Sequence, residues 1–226
     1  MTSLFKPNAF TKAKAGRLLA LAPLHAEALA LRWGAPELQV ERCGMGAQRA
    51  QAAAHRLARS AASAFVVAGV GGALDRRLAT GDVIVASELR NEFGDRRPLR
   101  SDGLAELLRT LGHRVQVAPI LSSEQLVTGA GRRERLAEDG ARVVDTESWW
   151  LAACAGARPF AVVRVVVDAP DRELLRLGTA WRGLEALRTL ARLAPALARW
   201  GGQITSAERR HFRGRARAQP ALQLVS

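Results

Sequence analysis

The sequence predicts an α/β fold: a single domain, a three-layer αβα sandwich around a central mixed, largely parallel sheet. Three observations predict it. Short apolar runs alternate with amphipathic stretches along most of the chain, the order expected of βαβ units with helices on both sheet faces. No linker and no internal repeat interrupts that alternation. A chain of 226 residues is long enough for one sizeable core.

The elements follow in order. Residues 1–16 are polar and basic and read as an N-terminal extension. The domain spans 17–200. Arg17–Ala22 reads as a strand, His25–Trp33 as a helix, Leu38–Cys43 as a strand and Ala47–Ser60 as an Ala-rich helix. Ala64–Ala68 reads as a buried strand followed by a glycine turn, Gly69-Val70-Gly71-Gly72. After the Thr80-Gly81 turn, Asp82–Leu89 is a strand, Leu104–Leu111 a helix and Val115–Leu121 a strand. Arg132–Asp139 reads as a helix, Arg142–Asp145 as a strand and Glu147–Ala155 as a helix. Phe160–Val167 is the most β-branched strand, and Thr179–Trp200 a long helix. Residues 201–226 form a weakly patterned basic tail, of the composition expected for disorder.

Composition removes several function classes. No apolar run approaches the roughly 20 residues of a membrane-spanning helix. The N-terminus lacks the apolar core of a signal peptide, so a cytoplasmic location is expected. Cys43 and Cys154 form no CxxC pair, and the four histidines have no metal-ligand spacing, so neither metal nor cofactor is expected. The net charge of +13 invites a nucleic-acid reading. The charge is spread as Arg over helices and tail, and the chain has no Tyr for base stacking, so specific nucleic-acid binding is not expected.

Two glycine segments follow strands, Cys43-Gly44-Met45-Gly46 and Ala68-Gly69-Val70-Gly71-Gly72. Bare backbone there allows close approach to a ligand. The first is not a dinucleotide fingerprint, because Arg49 stands where the third glycine belongs. No nucleophile elbow or P-loop is present. The candidate chemistry therefore rests on carboxylates at strand ends: Asp168 after the β-branched strand, Glu147 after Val143-Val144-Asp145, and Glu27 in the helix after the first strand. In open α/β sheets ligands bind at such strand ends.

These segments resemble the nucleoside phosphorylase and nucleosidase superfamily, which includes purine nucleoside phosphorylase and methylthioadenosine/S-adenosylhomocysteine nucleosidase. The similarity runs from about Leu18 to about Leu190. Its landmarks are Leu21 to Glu27, Cys43 to Gly46, Val67 to Leu74 with Gly81-Asp82-Val83-Ile84-Val85, and Leu121 to Val127. Asp145-Thr146-Glu147-Ser148 is similar to the family's Asp-Met-Glu-Ser ribose motif, and Arg164 to Asp168 to its Arg-x-x-Ser-Asp segment.

The resemblance implies an enzyme that cleaves a purine from a nucleoside. Asp168 would protonate N7 of the leaving base, Glu147 would hold the ribose hydroxyls, and Glu27 would orient or deprotonate water. Gly69, Val70 and Gly71 would approach the substrate, Leu126 and Val127 would contact the base, and Thr146 and Trp149 would complete the site.

Departures from the pattern bear on the nucleophile. Val67 and Val70 stand where hexameric phosphorylases carry a phosphate-binding Arg and Ser, so water is expected as nucleophile. Thr146 replaces Met and Val167 replaces Ser. The pattern resembles hopanoid-associated members, which release adenine from adenosylhopane; for such a lipid-like 5′ group Trp149 and Trp150 would line an apolar channel. A phosphate-dependent phosphorylase and a catalytically degenerate nucleoside-binding protein are the alternatives. The resemblance also implies a homo-oligomer, most simply a dimer.

Overall fold

The computed structural model describes the backbone of residues 18–168 and 179–218, and the side chains of 18–167 and 181–204. Among the described residues, eight strands join one sheet. The first half of the chain builds β1 (Leu18–Ala22), α1 (His25–Gly34), β2 (Gln39–Arg42), α2 (Ala47–Leu57) and β3 (Ala64–Ala73). Then come β4 (Val83–Asn91), β5 (Arg96–Pro98), α3 (Asp102–Thr110) and β6 (Val115–Ser122). The rest is α4 (Ala130–Ala137), β7 (Val143–Asp145), α5 (Ser148–Leu151) with a 3-10 turn at Ala152–Cys154, β8 (Phe160–Asp168) and α6 (Thr179–Ala218).

The strand order is β2-β1-β3-β7-β6-β4-β5, with β8 also paired to β3 and β4. Strands β3, β7, β6, β4 and β8 thus close into a ring. The central strands carry near-continuous apolar runs, as strands covered on both faces must. One face packs on α1, α3 and α6 through Leu31, Leu104, Leu108, Leu190 and Leu193. The other packs on α2 and α5 through Ala50, Ala53, Ala54, Leu57 and Leu151. In α2 the buried set repeats at i, i+3, i+4 and i+7, so an Ala-rich helix with one Leu still presents a full apolar stripe.

The α/β class, the layers and the mixed, largely parallel sheet match the sequence expectation. Four details differ. The glycines after Ala68 are not a turn: β3 runs through them to Ala73, and none of Gly69, Gly71 or Gly72 has positive φ. They are glycines because other groups press on the strand. A Cβ on Gly69 would lie 2.5 Å from Glu27 Oε1, and one on Gly71 2.6 Å from Val143 Cγ1. In contrast, Gly44 and Gly46 do have φ of 84° and 92° and do turn the chain into α2.

The second difference is β7, which is parallel to β6 but antiparallel to β3. Val143 and Val144 pair with Ala73 and Gly72, the last residues of β3, so β7 runs back along β3 and carries its acid inward from that end. The third is β5, a short, exposed Arg-Arg-Pro edge with no apolar alternation to announce it. The fourth is α6, which continues past Trp200 to Ala218, through the segment expected to be a disordered tail. Among the described residues no helix is long and apolar enough to cross a membrane.

Candidate active site

A cavity of about 310 Å³ opens where β1, β3, β7 and the start of α6 converge. Its lining is mostly apolar, including Pro23, Leu24, Met45, Val70, Val144 and Leu187. A small set of polar groups converges on one wall, the usual build of a small-molecule site.

Arg164 organises that wall. It sits in the middle of β8 among Val162, Val163, Val165 and Val166 and is fully buried. A guanidinium in such a strand must be paired. Its Nε donates to Asp145 Oδ2 at 2.8 Å, and its Nη2 donates to Glu147 Oε2 at 3.2 Å and Ser148 Oγ at 3.0 Å. Nη1 donates to the Val70 carbonyl at 3.3 Å. The guanidinium thus ties β7, β3 and the start of α5 together.

Asp145 is the structural acid of the group. Oδ1 accepts from Ser122 Oγ at 2.6 Å and from the backbone N–H groups of Glu147 and Ser148, both at 3.1 Å. Burial opposes its charge, but Arg164 and the hydrogen bonds from Ser122 and Ser148 outweigh it and hold the carboxyl below its ordinary value. Ser122 in turn accepts from Trp149 N–H at 2.9 Å, which fixes the first turn of α5.

Glu27 and Glu147 reach the cavity itself. Glu27 stands in the first turn of α1 and accepts from Leu24 N–H at 2.6 Å, as an N3 acid does. Its other oxygen accepts from Val70 N–H at 2.7 Å across the cavity floor. Burial pushes its carboxyl above the ordinary value, more than Arg164 and the two backbone hydrogen bonds pull it down. Glu147 caps α5 and accepts from Gly46 N–H at 3.0 Å, in the turn before α2, and from Thr146 Oγ1.

The structure thus brings together Glu27, Glu147, Thr146, Val70, Gly71, Leu126 and Val127, all of which line the cavity. Gly69 lies just behind, where its missing Cβ makes room for Glu27 and Arg164. Asp168 ends β8 with its backbone opposite Gly72, and its side chain lies outside the described residues.

Trp149 is a correction. It does not line the cavity; with Trp150 it packs half-buried against the opposite core, and Arg97 sits over its ring 5.6 Å from the centroid. With Glu147 at the cap facing the cavity, the helix turn that follows carries Trp149 and Trp150 round to the other sheet face.

Sequence reasoning gave no role to Arg164, Asp145, Ser122 or Arg133. A lone Arg inside the strand Phe160–Asp168 was the available signal. Arg133 had none, since it lies in a polar stretch. It is nonetheless buried, lines the cavity, and donates to the carbonyls of Ala73 at 3.0 Å and Val127 at 3.4 Å. It thereby ties the Leu126-Val127 loop to the end of β3.

Residues 29–199 match the family model of the phosphorylase superfamily. The chain belongs to the phosphorylase superfamily. That is the family the motifs resemble, with its nucleosidase and nucleoside phosphorylase enzymes. No curated protein is significantly similar in sequence. Solved structures share the fold. Futalosine hydrolase of Helicobacter pylori superposes with a TM-score of 0.71 at 16% identity, covering 80% of this chain and 96% of that one. The 5′-methylthioadenosine/S-adenosylhomocysteine nucleosidase of Campylobacter jejuni gives 0.70 at 14% identity, covering 81% and 99%. The same nucleosidase from Neisseria meningitidis, in complex with methylthio-immucillin-A, gives 0.65 at 18% identity, covering 80% and 95%.

Proposed function

We propose that this phosphorylase-superfamily member hydrolyses the N-glycosidic bond of a purine nucleoside, with water as the nucleophile and adenine as the leaving base. The observation that carries the reading is the make-up of the cavity's inner wall: Glu27, Asp145 and Glu147 gather round Arg164. In that cluster carboxylates outnumber the guanidinium. Such a wall favours positive charge developing on the sugar, as in an oxocarbenium-like transition state, and disfavours an incoming phosphate.

In this reading the C1′–N9 bond breaks with its electron pair leaving on the base. Asp168 gives its proton to N7. Glu147 holds the sugar by its hydroxyls. Glu27, fixed by the N–H groups of Leu24 and Val70, takes a proton from water as the new C1′–O bond forms.

The cavity mouth supports a bulky apolar 5′ substituent. Leu24, Met45 and Leu126 line it and are exposed, and apolar side chains at a rim gain by covering; Leu126, which the motif places at the base, is in this reading assigned to the 5′ group instead. Adenosylhopane is the candidate substrate, and a dimer in the cytoplasm the expected form. The test is release of free adenine from 5′-alkyl adenosines and from adenosylhopane, with Asp168→Asn as the silent control. Failure of the wild type to release base from any of them sinks the enzyme reading, and release only with phosphate present makes the enzyme a phosphorylase.

A further inference from the structure

Resting on that reading of the cavity, the hydrogen bonds of Glu147 bear on which sugars fit. An ionised carboxylate offers about four lone-pair positions, two on each oxygen. Oε1 accepts from Gly46 N–H at 3.0 Å and from the Thr146 hydroxyl. Oε2 accepts from Arg164 Nη2 at 3.2 Å. Among the described residues three positions are filled, and the remaining one is on Oε2. A ribose edge carries two hydroxyls, and a carboxylate that grips both needs two free acceptor positions.

Thr146 lines the cavity beside Glu147, and its hydroxyl donates to the Glu147 carboxylate. It is also the position at which this chain departs from the apolar Met of the motif it resembles. We propose that Thr146 is a specificity-determining residue. Its hydroxyl takes the place of one sugar hydroxyl on Glu147 Oε1, so the site accepts nucleosides with a single hydroxyl on the 2′,3′ edge, that is, deoxynucleosides, alongside ribonucleosides. Gly46 and Arg164 are held by the fold and do not turn away. Thr146 is the one donor of the three that a single substitution removes without a change of shape.

Thr146→Val keeps the shape and frees the acceptor on Oε1. The second hydroxyl of a ribonucleoside then finds a charged partner that a deoxynucleoside cannot use. A hydrogen bond to a charged group of this kind corresponds to a preference of roughly 10- to 150-fold.

The experiment measures kcat/KM for 5′-methylthioadenosine and for its 2′-deoxy and 3′-deoxy counterparts. It compares wild type, Thr146→Val and Thr146→Ser. It also measures the dissociation constants of the same three compounds with Asp168→Asn carrying each Thr146 substitution. The expected result is a ratio of ribo- to deoxynucleoside that rises at least roughly tenfold in Thr146→Val for one of the two deoxy compounds. Thr146→Ser, which keeps the hydroxyl, holds the wild-type ratio. A smaller rise, or the same rise in Thr146→Ser, overturns the proposal. If no compound is cleaved but the binding ratios move as described, the hydrolase reading fails and this one stands. If cleavage occurs with unmoved ratios, the reverse holds.

Discussion

On the inner wall of the cavity, Glu27, Asp145, Glu147 and Arg164 are buried and bound to one another and to the backbone, while at the mouth Leu24, Met45 and Leu126 present bare apolar side chains to solvent. The wall is assembled from four distant parts of the chain, α1, β3, β7 and β8, so a change at any one member is felt by the others. The mouth is a set of separate side chains, each able to change alone. The difference separates two jobs. Reaction chemistry needs groups held to fractions of an ångström, whereas an apolar substituent needs only area to cover.

The comparison breaks most sharply at Arg164. Arg164→Met strands three buried carboxylates, and a loss of about 3–5 kcal/mol of folding stability is expected, read from urea denaturation. A variant that denatures like the wild type contradicts the account of the wall. Next is Glu27→Gln. Base release is expected to fall by about 10²–10⁴-fold, the usual range for a lost general base, with the circular dichroism spectrum retained.

Glu27 also sets a pH limb. Its carboxyl is held above the ordinary 4.5 by burial, and the base must be ionised to act. The rate therefore falls as pH drops through a value above 4.5. A limb at or below that value points to a different base.

Asp145 has the opposite sign. The fold holds it below the ordinary 3.8, so the unfolded chain binds the extra proton first. The stability it contributes is present above 3.8 and is lost as pH falls through its depressed folded value. Asp145→Asn is expected to cost about 1–3 kcal/mol at neutral pH and to remove that part of the acid dependence, which acid titration followed by fluorescence checks.

At the mouth effects are small. Leu126→Ser is expected to raise KM for a 5′-alkyl nucleoside several-fold, about 1 kcal/mol of lost apolar contact, with Tm and kcat unchanged. An equal loss for a substrate without the alkyl group contradicts an apolar 5′ site at Leu126.

The two regions were also unequally legible. The alternation of apolar runs and amphipathic stretches placed almost every strand and helix, because burial on both sheet faces leaves a periodic mark. Glu27, Glu147 and the Leu126-Val127 loop were legible through motifs. Three matters were not. The glycines of β3 read as a turn, since only the structure shows Glu27 and Val143 pressing on that strand. The role of Arg164 depends on β7 running against β3, a pairing the local sequence does not carry. Trp149 read as a channel wall, and the cap at Glu147 turns it to the opposite core.

The central claim, water delivered to a sugar held by carboxylates, is tested most directly by identifying the sugar product. A 5′-alkyl adenosine is turned over by the purified protein with and without inorganic phosphate, and the products are separated by mass. The account predicts the same rate of adenine release in both and a free 5′-alkyl sugar as the only partner product. A sugar 1-phosphate, or a rate that depends on phosphate, would contradict it.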